Sequence, residues 1–265
     1  MGILKRNNVK VSGSGSRPLV FAHGFGCDQQ MWRFVAPAFE ASHRVLLFDH
    51  IGCGKSDMSA YDHQRHATLD GYADDVVAIL DAAGLDDVAF VGHSVSAMIG
   101  VLASLRSPRI TRLVMVGPSP RYLNDAPDYV GGFERSDIDT LMDLMESNML
   151  GWASFLAPVV MGQAGGPALS DELRDSFCAA DPYITRRFAA ATFLADNRAD
   201  LPRVRVPALV IQCSDDAIAP RAVGEYVHRH LPHGTLRVID ASGHCPHMTH
   251  PAETTALIRE FLDPA

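Results

Sequence analysis

Short runs of apolar residues, each followed by turn-forming residues, recur along the chain and predict strands. Five of them are wholly apolar, at residues 19–22, 45–48, 88–91, 113–116 and 208–211. A sixth run, at residues 235–239, leads into Gly243 and His244. Continuous apolar runs are typical of strands that are covered on both faces, so the pattern predicts a parallel sheet.

Segments with helical periodicity lie between these runs. After Thr68, a candidate helix cap, apolar residues recur at helical spacing over residues 69–80, and Gly84 then suits a helix end. Pro220 and Pro251 suit the starts of two later helices. Strands that alternate with helices predict an α/β fold with a doubly wound, mostly parallel sheet.

The alternation is interrupted between residues 119 and 197, where helical patches rich in Met and aromatic residues occur without a convincing strand. This segment follows a strand end, and open α/β sheets bind ligands at the carboxyl ends of their strands. We therefore predict that residues 119–197, the cap segment, form a helical cap inserted between residues 1–118 and 198–265 of the core. Extra helices packed at one edge of the sheet are the alternative.

Composition and charge narrow the function classes. The 265 residues are 47% hydrophobic and carry a net charge of -8, which argues against a nucleic-acid binder, since that function needs a basic face. Five cysteines without a C-x-x-C pattern argue against a disulfide framework or a zinc ribbon. Without a signal-peptide pattern or an apolar stretch long enough to span a bilayer, a cytoplasmic protein with no membrane segment is expected.

Candidate chemistry centres on Ser94. The sequence Gly92-His93-Ser94-Val95-Ser96 follows a predicted strand and precedes a predicted helix. That context matches the nucleophile elbow G-x-S-x-G, with Ser96 in place of the second glycine. The alternative is an ordinary helix start that Ser94 caps.

A serine nucleophile needs a base and a group that orients the base. In the elbow-containing fold these follow in the chain order Ser, Asp or Glu, His, each after a strand. Asp216 and His244 fit that order, so we predict Ser94, Asp216 and His244 as a catalytic triad. Asp215 is the rival acid, and Asp216 is preferred because it lies in the loop that leads to the next helix.

Acyl transfer also needs hydrogen-bond donors for the developing oxyanion. The backbone N–H groups of Val95 and of Phe25, in the loop after the first predicted strand, are the candidates. His244, His247 and His250 recur at three-residue spacing, which offers a metal site as a minor alternative, but they lack the helical context of a zincin motif. No dinucleotide-binding fingerprint is seen. We therefore predict neither a metal nor a cofactor.

Several motifs together resemble one family over nearly the whole chain. They are residues 23–29, the loop with Gly52-x-Gly54-x-Ser56-Asp57, Gly92-His93-Ser94-Val95, Gly243-His244-x-Pro246-His247, and the cap residues 118–125 and 131–134. The chain thereby resembles the RsbQ-type α/β hydrolases, bacterial stress-response regulators similar to the plant strigolactone and karrikin receptors. Ser96 departs from that family's usual glycine, which puts the elbow geometry in question.

The resemblance implies an α/β-hydrolase fold, a four-helix cap over an apolar pocket and a triad that works without a cofactor. Phe25 and Val95 would supply the oxyanion hole. The implied partners are a small apolar ligand and a PAS-domain protein phosphatase in sigma-factor regulation. Candidate pocket walls, drawn from the active-site loops and the cap segment, are Phe25, Phe133, Trp152, Phe155, Phe193 and Ile218.

Three function hypotheses remain open on the sequence. The first is a metabolic enzyme that hydrolyses an ester or lactone. The second is a signalling hydrolase or receptor that processes or senses a small apolar ligand. The third is another cofactor-free α/β-fold activity, such as a haloperoxidase, C–C bond hydrolase or hydroxynitrile lyase. Fold analogy alone does not decide among them.

Overall fold

A computed structural model describes residues 2–263 and contains a seven-stranded sheet with the order β1-β3-β2-β4-β5-β6-β7. Only β1, which pairs with β3, is antiparallel, and the remaining neighbours are parallel. The strands are β1 (Lys10–Ser12), β2 (Arg17–Ala22), β3 (His43–Phe48), β4 (Val88–His93), β5 (Ile110–Val116), β6 (Ala208–Asp215) and β7 (Gly234–Ser242).

The inner strands are buried on both faces, as their apolar runs predict. In β2, Leu19 and Phe21 pack into one apolar core, whereas Val20 and Ala22 pack into a second core on the opposite face. The other parallel strands divide in the same way, because successive side chains of a strand point to opposite faces. The predicted α/β fold with a mostly parallel, doubly covered sheet is confirmed.

The helices are α1 (Ile3–Arg6), α2 (Leu69–Ala83), α3 (Val95–Ser104), α4 (Arg135–Ser147), α5 (Met149–Ala179), α6 (Pro182–Phe193), α7 (Arg221–His230), α8 (Pro246–Thr249) and α9 (Pro251–Leu262). Gly84 ends α2 in a left-handed conformation with φ of 61°, as predicted. Thr68 precedes α2, but its hydroxyl bonds the Asp70 carboxylate and does not cap the helix backbone.

The cap segment contains α4, α5 and α6, and its only β contacts among the described residues are isolated bridges. Helix α5 is broken at Gly162 and Gly166, where φ is 66° and 59°, which divides it into residues 149–161, a short piece at 163–165, and residues 167–179. Nowhere between residues 2 and 263 does a helix have both the length and the apolarity required to cross a membrane.

Strand order places two loops side by side. The chain passes from β2 to β3 on one side and then returns to β4 on the other side of β2, so the order reverses between β2 and β4. Ala22 of β2 is in register with Gly92 of β4. The residues that follow, His23 onwards and Ser94, therefore meet at the position where open α/β sheets form their ligand crevice.

Candidate active site

Ser94 lies at the sharp turn between β4 and α3. Its φ of 55° and ψ of -121° are unusual for a residue with a side chain, and such strain is typical of functional positions. The turn is possible because Gly92 has no side chain: a Cβ there would lie 2.3 Å from the carbonyl oxygen of Ser96. The Ser94 N–H donates to the Val116 carbonyl of β5, which holds the turn against the sheet.

His244 and Asp216 complete a chain of hydrogen bonds that starts at Ser94. His244 Nε2 lies 2.8 Å from Ser94 Oγ, and His244 Nδ1 lies 2.7 Å from Asp216 Oδ2. A carboxylate can only accept, so Nδ1 carries the proton and Nε2 is free to accept from the serine hydroxyl. All three side chains are buried. The structure thus brings together the three residues that the chain order predicted.

The structure also distinguishes Asp216 from its neighbour. Asp216 Oδ1 accepts from the backbone N–H groups of Ile218 and Ala219, at 2.8 and 3.0 Å, which fixes the carboxylate toward His244. Asp215 is the last residue of β6, where it pairs with Ser242 of β7, and it is exposed. Asp216 is therefore the acid in contact with the histidine, in agreement with the preference drawn from the sequence.

The loop after β2 approaches Ser94 closely. Its Gly24 is so near that a Cβ there would lie 2.4 Å from His93 Nδ1 and 3.5 Å from Ser94 Cβ. The next residue, Phe25, lines the same cavity as Ser94, and Val95 is the first residue of α3, where helical N–H groups have no intrahelical partner. Both predicted oxyanion donors therefore belong to segments that border the serine.

Ser96 takes part in a buried network that sequence reasoning missed. Its hydroxyl donates to the His23 carbonyl and accepts from His50 Nε2, which lies 2.7 Å away. The backbone N–H of His50 in turn donates to His23 Nε2, at 3.0 Å. The hydroxyl thus ties α3 to the loop that carries Phe25, so the serine that replaces the usual glycine fits the elbow and adds a restraint.

Tyr122 is a second residue that the sequence did not single out as part of the site. Its hydroxyl lies 3.2 Å from Ser94 Oγ and, since Ser94 donates to His244, Tyr122 acts as the donor. Burial raises the pKa of Tyr122, which keeps it protonated. The only sequence signal was its place in the cap motif Pro118–Asp125, which gave no reason to expect contact with the serine.

An apolar cavity of about 50 Å³ borders Ser94 and His244. Five of the six predicted walls, Phe25, Phe133, Trp152, Phe193 and Ile218, line it. Further lining residues come mainly from the apolar face of the cap segment: Ile138, Leu141, Met142, Met145, Leu156, Val160, Leu173 and Phe177. The lining contains no Asp, Glu, Lys or Arg side chain, so the cavity suits a neutral, apolar ligand.

The prediction for Phe155 was wrong. Helix α5 turns Trp152 and Leu156 toward the cavity, and Phe155 lies about 60° from Trp152 and about 100° from Leu156 around the helix. Its side chain is consequently 61% exposed, whereas Trp152 is 1% exposed. Trp152 and Phe155 were both predicted as walls, and of these two only Trp152 lines the cavity.

Helix α5 is also bonded to the loop that carries His244. The His244 N–H donates to the Val160 carbonyl at 2.7 Å, and the Gln163 N–H donates to Ser242 Oγ at 3.0 Å. Gly162 allows this contact, because a Cβ there would lie 2.5 Å from the Ser242 carbonyl oxygen. The cap segment and the histidine loop are therefore joined by one backbone–backbone hydrogen bond and one bond from the backbone to a serine side chain.

The three evenly spaced histidines do not form one cluster. His244 is bonded to Ser94 and Asp216, His247 is buried against His93, and His250 Nδ1 lies 2.9 Å from Thr249 Oγ1. His93 points away from Ser94, as predicted, and its Nε2–H donates to the His244 carbonyl at 2.9 Å.

A family model described as "Alpha/beta hydrolase family" matches residues 19–257. The chain belongs to the alpha/beta hydrolase family. This α/β hydrolase is 41% identical to a Karrikin insensitive 2 receptor of Petunia hybrida over 254 residues, covering 95% of the chain and 94% of the relative. It is 40% identical to a strigolactone esterase of Arabidopsis thaliana over 262 residues, covering 98% and 97%.

Among solved structures, a hydrolase from Oleispira antarctica superimposes on this α/β hydrolase with a TM-score of 0.97. The two sequences are 44% identical, and the match covers 99% of this chain and 97% of the other. The similarity to plant strigolactone and karrikin proteins that the motifs suggested is thus confirmed. The narrower assignment to the RsbQ-type regulators stays a prediction, since none of these three relatives is described as one.

Proposed function

We propose that this α/β hydrolase cleaves small, uncharged, apolar esters or lactones through an acyl-enzyme on Ser94. One observation carries the proposal: the continuous hydrogen-bond chain from Ser94 through His244 to Asp216, at 2.8 and 2.7 Å, beside an apolar cavity. An isolated serine hydroxyl is a weak nucleophile, and this arrangement is the one that activates it.

In the first step, Ser94 Oγ attacks the carbonyl carbon of the substrate while His244 Nε2 takes the hydroxyl proton. Asp216 holds the imidazole in the tautomer that leaves Nε2 free, and its charge stabilises the imidazolium that forms. The proton then passes from His244 to the leaving alcohol oxygen as the tetrahedral intermediate collapses. An acyl ester on Ser94 and a free alcohol result.

The tetrahedral intermediate carries its negative charge on the former carbonyl oxygen. We assign its stabilisation to the backbone N–H groups of Phe25 and Val95, which belong to the two segments beside Ser94. The network of Ser96, His50 and His23 supports this role, because it holds the Phe25 loop against α3. Water, activated by His244, then hydrolyses the acyl ester and restores Ser94.

The cavity limits the substrate class. Without a lysine or arginine in the lining, a carboxylate or phosphate on the substrate would be buried unpaired, which is costly. A volume of about 50 Å³ is also well below the range of about 300–1,000 Å³ that drug-sized ligands occupy. We expect the best substrates to be short-chain esters or small lactones, with larger ones admitted only when the cap segment moves.

A signalling role is the second part of the proposal. Two plant relatives are named a Karrikin insensitive 2 receptor and a strigolactone esterase, so both receptor and esterase names occur among proteins about 40% identical to this chain. The resemblance to RsbQ-type regulators adds a PAS-domain protein phosphatase as a candidate partner. We propose that turnover or occupancy of the cavity controls such a partner.

Mass spectrometry of the intact protein tests the enzymatic part. Mixing with a chromogenic acetate ester, followed by an acid quench, should add one acetyl group, and peptide mapping should place it on Ser94. The Ser94→Ala variant should remain unmodified, whereas Ser59→Ala, which changes an exposed serine, should behave as the parent. Rapid ester turnover by Ser94→Ala would contradict the mechanism.

The signalling part is tested separately with a purified PAS-domain phosphatase. Light-scattering or calorimetric titration should detect a complex whose affinity changes when a slowly hydrolysed lactone is present. Equal affinity with and without the lactone, or no complex at all, would leave a plain esterase and contradict the regulatory proposal.

A further inference from the structure

Three side chains with metal-binding atoms meet directly behind the triad. His93 ends β4, and Cys245 and His247 follow His244 in the chain. One ring nitrogen from each histidine and the Cys245 sulfur all lie within 4.8 Å of one another, and all three residues are buried. The function proposed above uses none of these three groups.

Hydrogen bonding leaves this cluster incomplete. Neither ring nitrogen of His247 has a hydrogen-bond partner among the described residues. Buried polar atoms in native proteins are nearly always paired, and one left unpaired is destabilising. His247 also packs its ring against His93 and Trp32, at centroid distances of 4.4 and 4.5 Å, which holds it in place.

The donor set and its spacing fit a zinc-like ion. Two imidazoles and one thiolate are ligands that Zn²⁺ accepts. With bond lengths of about 2.05 Å to nitrogen and 2.3 Å to sulfur, a tetrahedral ion separates the two atoms by about 3.6 Å. Cys245 Sγ and His93 Nε2 lie 3.8 Å apart, so this pair needs almost no movement.

The cluster borders the active-site cavity. Cys245 and His93 both line the cavity that contains Ser94. Three protein ligands and one open position are a common zinc arrangement.

We propose that His93, Cys245 and His247 form a binding site for a divalent ion of the zinc class, and that occupation of this site inhibits the hydrolase. Binding replaces the Cys245 thiol proton, which is released to solvent, with a sulfur–metal bond. His93 binds through Nε2, and its proton moves to Nδ1, so its hydrogen bond to the His244 carbonyl is lost.

Inhibition follows from that lost bond, and this part of the proposal rests on the proposed function. The His244 carbonyl and the catalytic imidazole belong to the same residue, so releasing the carbonyl removes a restraint on the imidazole. A positive ion bound to His93 also opposes the imidazolium that forms during catalysis, since the His93 and His244 ring centroids are 4.9 Å apart.

Binding is measured first, independently of activity. Titration of the metal-free protein with Co²⁺ should produce a near-ultraviolet band from thiolate-to-cobalt charge transfer that saturates at one ion per chain, and Zn²⁺ should displace it. Absence of that band, or a cobalt spectrum without sulfur ligation, would overturn the proposal even if ester hydrolysis were fully established.

Matched variants assign the ligands. Cys245→Ala and His247→Gln should each weaken Zn²⁺ binding by at least about 100-fold, more than the loss of a residue that only supports a ligand. Cys178→Ala, at an exposed cysteine, and His250→Gln, at the third histidine of the series, should bind as the parent does. Equal Zn²⁺ affinity in all four variants would place the metal elsewhere and refute the site.

If a variant that lacks a metal-binding residue fails to fold, a crystal of the unmodified protein still tests the proposal. After soaking with Zn²⁺, anomalous diffraction at the zinc edge should give a peak among the three side chains. In solution, one equivalent of Zn²⁺ should lower ester turnover at least about tenfold, and a chelator should restore it. A peak only at surface residues, or full activity of zinc-loaded protein, would contradict the proposal.

Discussion

Replacing Asp216 with asparagine should change the protonation pattern of His244 without moving it. The amide oxygen must take the place of Oδ1, because that atom accepts from the N–H groups of Ile218 and Ala219. The amide NH₂ group then faces His244 Nδ1, where Oδ2 now lies at 2.7 Å. A donor at that position favours the tautomer with the proton on Nε2, which cannot accept from Ser94.

The expected magnitude is large. In serine hydrolases with this arrangement, the equivalent change lowers kcat by about 10⁴, or about 5 kcal/mol of transition-state stabilisation. KM should change little, because the carboxylate contacts His244 and the backbone. Folding should persist, since two of the hydrogen bonds of Asp216 are retained. Steady-state hydrolysis of a chromogenic ester, together with a thermal melt, measures all three quantities.

Asp215→Asn is the matched control. Asp215 carries the same carboxyl group one residue earlier, but it is exposed and has no contact with His244. Its variant should keep kcat within about twofold of the parent, as surface changes usually do. If Asp215→Asn lost more activity than Asp216→Asn, or if Asp216→Asn kept a tenth of the parental kcat, the tautomer argument would be refuted.

Other consequences can be checked with simpler measurements. Ser94→Ala should lower kcat by about 10⁶ with an unchanged circular dichroism spectrum, and a smaller loss than a hundredfold would contradict its role. Trp152→Ala should reduce the free energy of unfolding by about 3–5 kcal/mol, whereas Phe155→Ala, three residues away on the same helix, should change it by less than about 0.5 kcal/mol in urea titrations. Burial lowers the pKa of His50 well below its ordinary value, so the folded protein leaves it neutral while the unfolded chain binds a proton below about pH 6.5. Acid therefore favours unfolding, and the free energy of unfolding should fall between pH 6.5 and 5.5 by up to about 1 kcal/mol from His50 alone, a dependence that His50→Gln should reduce.

Most of the sheet could be predicted because its inner strands are buried on both faces and are therefore apolar throughout. The edge strand β1 was missed, since Lys10 and Val11 are exposed and the three-residue strand shows no apolar pattern. The predicted C-terminal ends of β6 and β7, at residues 211 and 239, were too early, because the strands end at Asp215 and Ser242. Each continues through polar residues such as Ser214 and Asp240, which bond each other at 3.0 Å.

At the site, the order of Ser94, Asp216 and His244 along the chain was enough to predict which side chains meet. The same reasoning could not find Tyr122 or the Ser96 network, because those contacts depend on how distant segments pack. Ser96 is an example. From the sequence, its small size indicated only that it could replace the glycine. The structure shows in addition that its hydroxyl forms hydrogen bonds to His50 and to the His23 carbonyl.

The bond from the His244 N–H to the Val160 carbonyl has a consequence for the timing of catalysis. Lifting helix α5 to admit a ligand removes the acceptor of this buried N–H, at a cost of about 1–3 kcal/mol unless water replaces it. We therefore expect opening of the cavity to release a restraint on His244 and reclosing to restore it. Under the proposed mechanism, catalysis would then be slowest while substrate enters or product leaves, and fastest once the cavity is closed to water.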